Sequence, residues 1–116
     1  MEKVSLLDNV LFNDHKPTIT LMMETDFTKE IRIAFKSDQR MKEHQTAYPI
    51  TVEVIDGAIN FGVNGHIHQL VSGDLITLSG GVPHDLYSTR DSIVRLTLSK
   101  NDQSQRVANV INSSAT

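Results

Sequence analysis

Gly73-Asp74-Leu75-Ile76-Thr77-Leu78-Ser79-Gly80-Gly81-Val82-Pro83-His84 is the stretch whose reading decides the fold. Leu75 to Leu78 has the composition of a short strand. It lies between two turn signals, Ser72-Gly73-Asp74 and Ser79-Gly80-Gly81. His84 follows the second turn and opens another strand-like run. A tight turn and Pro83 hold it in place better than a free loop would. A second histidine, His44, stands about forty residues earlier, ahead of another strand-and-turn unit.

Outward from this stretch the chain reads as a series of short strands. Thr18 to Met23 is the first. Glu30 to Phe35 alternates strictly, with Ile31, Ile33 and Phe35 on one face. Ile50 to Ile55 ends at Asp56-Gly57, and Ala58 to Val63 ends at Asn64-Gly65, both strong turn dipeptides. His66 to Val71, Leu75 to Leu78, His84 to Tyr87 and Ile93 to Leu98 complete the series. No convincing helix separates them. Short strands at regular spacing predict an all-β fold, an antiparallel β-barrel or sandwich. The expected core is Ile33, Phe35, Val52, Val54, Phe61, Leu70, Ile76, Leu78, Leu86, Val94 and Leu96, or their opposite-face neighbours. The first 16 residues give a weak signal. From Lys100 the sequence turns polar, with Val107, Val110 and Ile111 fit for a short appendage and the last four residues expected to fray.

Composition narrows the class. The chain has 116 residues, 39% of them hydrophobic. That suits one domain over residues 1–116, with its core at about 17–99 and a polar tail at about 100–116. No apolar run approaches the roughly 18 residues of a membrane span. The start, Met-Glu-Lys-Val-Ser, lacks the pattern of a signal peptide, so the expected location is the cytoplasm. The absence of cysteine excludes disulfides, thiolate metal sites and a cysteine nucleophile. A net charge of −3 and no cluster of Lys and Arg argue against nucleic acid as a partner. Ser79 stands in no Gly-x-Ser-x-Gly elbow, so a serine hydrolase is not supported.

The spacing around His84 resembles the cupin superfamily, in particular small single-domain bacterial cupins of the RmlC-like, conserved-barrel type. The second cupin motif runs Gly, five residues, Pro, one residue, Gly, two residues, His, three residues, Asn. Gly73, Gly81 and His84 fall at matching places, while Ser79 replaces the Pro and Ser88 the Asn. Counting back from Gly57, His44 falls at the first His of the first motif. Thr46 falls at the second His, and Ile50 falls near the Glu. The resemblance covers roughly residues 30 to 98. It implies a double-stranded β-helix, or jelly roll, and a homodimer with the N-terminal strands in its interface. It also implies that the histidines face one another inside the barrel.

The metal motif is reduced. A metal-binding cupin offers three His and a carboxylate, and this chain keeps His44 and His84. The resemblance therefore implies at most a weakly held divalent ion (Ni, Zn, Mn or Fe), with His44 and His84 as its protein ligands. Alternatively, two imidazoles without metal anchor an organic ligand or act as an acid–base pair near neutral pH. The expected ligand-binding residues are His44, Thr46, Tyr48 and His84. The expected function is binding of a small molecule in the barrel. The alternative is a metal-dependent enzyme of the oxygenase or isomerase type, with the shell completed by Glu43, Gln45, His68 or the substrate. Two other features read as ordinary surface. His66-Ile67-His68 has alternate-residue metal spacing but follows the Asn64-Gly65 turn, which places His66 in solvent and His68, on the face of Leu70, partly buried. Arg40, Lys42 and Glu43 read as a solvated loop ahead of His44, with Lys42 in reach of an acidic ligand at the mouth.

Overall fold

The computed structural model of the chain describes residues 1–100, so the tail features at Val107, Val110, Ile111 and the last four residues lie outside it. Among the described residues there are nine strands and no helix: β1 (Thr18–Glu24), β2 (Thr28–Phe35), β3 (Arg40–His44), β4 (Ile50–Asp56), β5 (Ala58–Val63), β6 (His66–Val71), β7 (Leu75–Leu78), β8 (His84–Ser88) and β9 (Ser92–Ser99). They form two antiparallel sheets, of order β1-β2-β9-β4-β7 and β3-β8-β5-β6. From β3 onward the chain passes repeatedly from one sheet to the other, as a jelly roll does. The sheets do not close into a continuous barrel, which leaves β1, β7, β3 and β6 as edges.

The turns follow from residue type. Asn64 and Gly65 both take positive φ, at 53° and 77°, which is the pairing a two-residue hairpin of matching twist requires. Gly57, at φ 117°, lets β4 pass into β5 against Ser92; a Cβ there would lie 2.2 Å from the Ser92 hydroxyl oxygen.

The core lies between the two sheets. Ile33, Phe35, Ile50, Val52, Val54, Ile59, Phe61, Leu70, Leu86 and Val94 are buried in one cluster, with Ile31, Met41, Val63, Ile76, Leu78, Leu96 and Leu98 packed against it. Ile33 and Val94 pair across β2 and β9, and Val94 and Val54 across β9 and β4, so one row of inward side chains spans three strands.

The outer face of the five-stranded sheet is covered in part by the N-terminal segment. Arg32 is 5% exposed. Its guanidinium donates to the carbonyls of Leu6, Asp8 and Asn9 at 3.3, 2.8 and 3.3 Å. These bonds discharge its polar groups under the segment, as burial of an arginine requires. Beside it Arg95 bridges Glu53 at 3.0 Å and Glu30 at 3.4 Å.

Two sequence expectations are corrected. Arg40 to Glu43 is not a loop but most of strand β3. Only Met41 among its residues is apolar, so the segment carries no alternating hydrophobic signal. A charged edge strand is a normal way to guard a sheet edge. The bulge between Met41 and His44 lets Lys42 and Glu43 both face solvent. His68 is exposed rather than partly buried. It pairs in register with buried Phe61, but β6 is a sheet edge on which only Leu70 is buried.

Candidate functional site

His44 closes β3 and His84 opens β8, and the two face each other in the ladder between those strands. Their rings lie 4.4 Å apart, centroid to centroid, tilted by 58°. On β5, next in the sheet, Phe61 stacks on His84 at 5.5 Å and an interplanar angle of 14°. His84 is thus held between an aromatic ring and a second imidazole. It is 3% exposed, whereas His44 is half-buried.

The hydrogen bonds fix the tautomers. Nδ1 of His44 lies 2.9 Å from the carbonyl of Lys42, and Nδ1 of His84 lies 2.9 Å from the carbonyl of Val82. A carbonyl only accepts, so each Nδ1 carries the proton. In the neutral ring each Nε2 is then a lone pair. Among the described residues no side-chain nitrogen or oxygen cut off from solvent lacks a partner. Nε2 of His84 has no partner, so it opens onto solvent-reachable space. Burial holds the His84 pKa below the ordinary value of 6.5, the nearby His44 adds to this, and the Val82 carbonyl and Asp85 oppose it. His84 therefore rests as a neutral base, and each ring is anchored by its far nitrogen.

The backbone around the pair is tied together. The amide of Gly81, three residues before His84, donates to the carbonyl of Thr46, two residues after His44, at 2.7 Å. Gly80 lets the turn approach this closely, since a Cβ there would stand 2.4 Å from the Ala47 carbonyl oxygen.

Thr46 and Tyr48 face a groove of their own. The Thr46 hydroxyl donates to the Tyr48 carbonyl at 2.9 Å. With Ala47, both residues line a groove of about 580 Å³ whose other walls are Glu24, Lys29, Leu98, Ser99 and Lys100. Neither histidine lines it. Sequence reasoning missed this second set of walls. The register that brings Glu24, Lys29 and Leu98 into one row depends on a bulge in β1 after Leu21, which nothing in the residue pattern marks. Asp85 and Tyr87 point away from the pair, as alternation from His84 requires. On the outer face Asp85 bonds Arg40 at 2.5 Å, and the Arg40 guanidinium lies 5.0 Å from the centre of the Tyr87 ring. Ser88, at the motif's Asn position, is buried; its hydroxyl donates to the carbonyls of Lys36 and Gln39.

The donor set is incomplete for a metal. Two His and a carboxylate is the usual minimum for a non-haem iron centre. Here the Thr46 hydroxyl is spent on a backbone carbonyl, Ile50 is buried hydrocarbon, and among the described residues no three His, Asp or Glu side chains gather.

The resemblance drawn from the motif is upheld at the level of fold. An RmlC-like cupin protein from Desulfovibrio desulfuricans superposes with a TM-score of 0.79 at 22% identity, over 85% of this chain and 96% of that one. An uncharacterized conserved protein with a double-stranded β-helix domain from Klebsiella pneumoniae gives 0.77 at 20% identity, over 87% and 92%. KdgF from Halomonas sp. gives 0.63 at 16% identity, over 81% and 97%. No family model and no curated protein matches the sequence. The chain has the fold of the small single-domain cupins.

Proposed function

We propose that this protein binds a small organic molecule through the imidazole pair, without needing a metal. The carrying observation is that both Nδ1 atoms are engaged by backbone carbonyls, which leaves two Nε2 lone pairs as neighbouring acceptors. Such a pair suits a ligand with a hydroxyl, an N–H or a weakly acidic proton. Phe61, Leu86, Met41 and Val63 supply apolar surroundings, the usual lining of a small-molecule site. A thermal-shift screen with small phenols, amides and organic acids tests this. At least one class should stabilise the wild type and lose its effect in His84→Ala. Hits that survive both His44→Ala and His84→Ala, or no hit at all, would sink the proposal.

The reading includes a homodimer. Ile19 and Leu21 share the inward face of the five-stranded sheet with Ile33 and Ile31, yet are 59% and 54% exposed. Ile33 opposite is 1% exposed, so the core stops short of β1. An apolar row at an open sheet edge is a natural seat for a second copy across a two-fold axis.

A further inference from the structure

The groove beside the imidazole pair has its own chemistry. Lys29 faces Glu24 on β1 and Leu98 on β9, and Leu98 faces Ile50 on β4. One row on the inner side of the sheet thus runs from charge to hydrocarbon within four strands. Glu24 is matched by Lys100, whose ammonium lies 2.9 Å from its carboxylate and donates to the Thr25 carbonyl at 2.9 Å. Among the residues lining the groove, Lys29 and Lys100 outnumber Glu24, so one positive charge is in excess on a chain of net charge −3. Among the described residues neither the Lys29 ammonium nor the Tyr48 hydroxyl has a hydrogen-bond or ion-pair partner. Tyr48 belongs to the loop that closes the groove from the other sheet, and the Gly81–Thr46 bond holds that loop in place.

We infer that this groove binds a small carboxylate with an apolar body. The carboxylate sits on the Lys29 ammonium and the Tyr48 hydroxyl, and the apolar part lies over Leu98 and Ala47. A charge-assisted contact at one end and hydrocarbon at the other fix the ligand's direction. The volume of about 580 Å³ lies within the range of small-ligand sites. The inference rests on the groove and stands or falls apart from the histidine pair.

Hexanoate and its uncharged analogue hexanamide are the probes, titrated by calorimetry and by amide-shift NMR into the full chain. Hexanoate should saturate and bind more tightly than hexanamide. Lys29→Met should weaken it by about tenfold or more, the usual range for a hydrogen bond to a charged partner. Lys29→Arg should retain most of the affinity, and Tyr48→Phe should lose part of it. Lys29 is exposed and Tyr48→Phe removes only a hydroxyl, so these variants fold. Equal binding of hexanoate and hexanamide, unchanged affinity in Lys29→Met, or no saturation would each overturn the inference. Loss in His84→Ala with retention in Lys29→Met would also overturn it, while leaving the histidine reading intact. Loss in Lys29→Met with retention in His84→Ala supports it.

Discussion

Phe61→Ala tests the packing that sets the chemistry of His84. Phe61 is 2% exposed and stacks on the imidazole at 5.5 Å. A buried phenylalanine removes roughly 150–250 Å² from water, worth about 4–6 kcal/mol at about 25 cal/mol per Å². Truncation with partial collapse costs about 3–5 kcal/mol. A chain of 116 residues is expected to have about 6–17 kcal/mol in all, so the variant still folds. Its melting temperature should fall by roughly 10–20 °C. The second readout is more specific. Burial is the largest cause that lowers the His84 pKa, so removing the ring that covers one face should move it back up. Chemical denaturation gives the first number, and NMR titration of the imidazole the second. If stability drops as expected but the His84 titration does not move, the ring does not set the imidazole's environment and the geometry is misread.

Three further outcomes follow from the same contacts. The lowered His84 pKa means that the unfolded chain binds more protons between the two pKa values, so the stability due to this group is complete above about pH 6.5 and is lost as pH falls through the folded value. Relative to His84→Gln, the wild type should therefore weaken as pH is taken below about 6.5 in urea titrations; parallel curves would contradict this. Gly80→Ala forces a Cβ against the Ala47 carbonyl and should cost about 1–3 kcal/mol, with faster hydrogen exchange at the Gly81 amide as its local signature. Light scattering should give a dimer for the wild type and a monomer for Leu21→Asp, and a monomeric wild type at micromolar concentration would remove the assembly proposal.

Much of the fold was legible because its strands alternate and its turns are marked by residue type. Ala58 to Val63, His66 to Val71 and Leu75 to Leu78 begin and end where the residues said they would, since Asp56-Gly57, Asn64-Gly65 and Gly73-Asp74 punctuate them. Strand β3 was not legible. Its residues are those of a solvated edge, and only its ladder with β8 shows that it is a strand. The facing of His44 and His84 was expected only from the resemblance to the cupin motifs, since β3 and β8 lie far apart in sequence and no local pattern brings them together. The grouping of Thr46 and Tyr48 with Lys29 and Glu24 along one groove depends on a bulge and on the path of one loop. Such features follow from three-dimensional packing rather than from periodicity.

The central claim is that both rings commit a protonated Nδ1 to a backbone carbonyl and that His84 rests as a neutral imidazole offering Nε2. Long-range proton–nitrogen correlation spectra of the two rings, recorded at pH 7 and followed downward, test it most directly. Both rings should show a protonated Nδ1, and His84 a bare Nε2 at neutral pH, with His84 taking up its second proton below the ordinary value of about 6.5. A bare Nδ1 on either ring, or a His84 that titrates at the ordinary value, would contradict the claim.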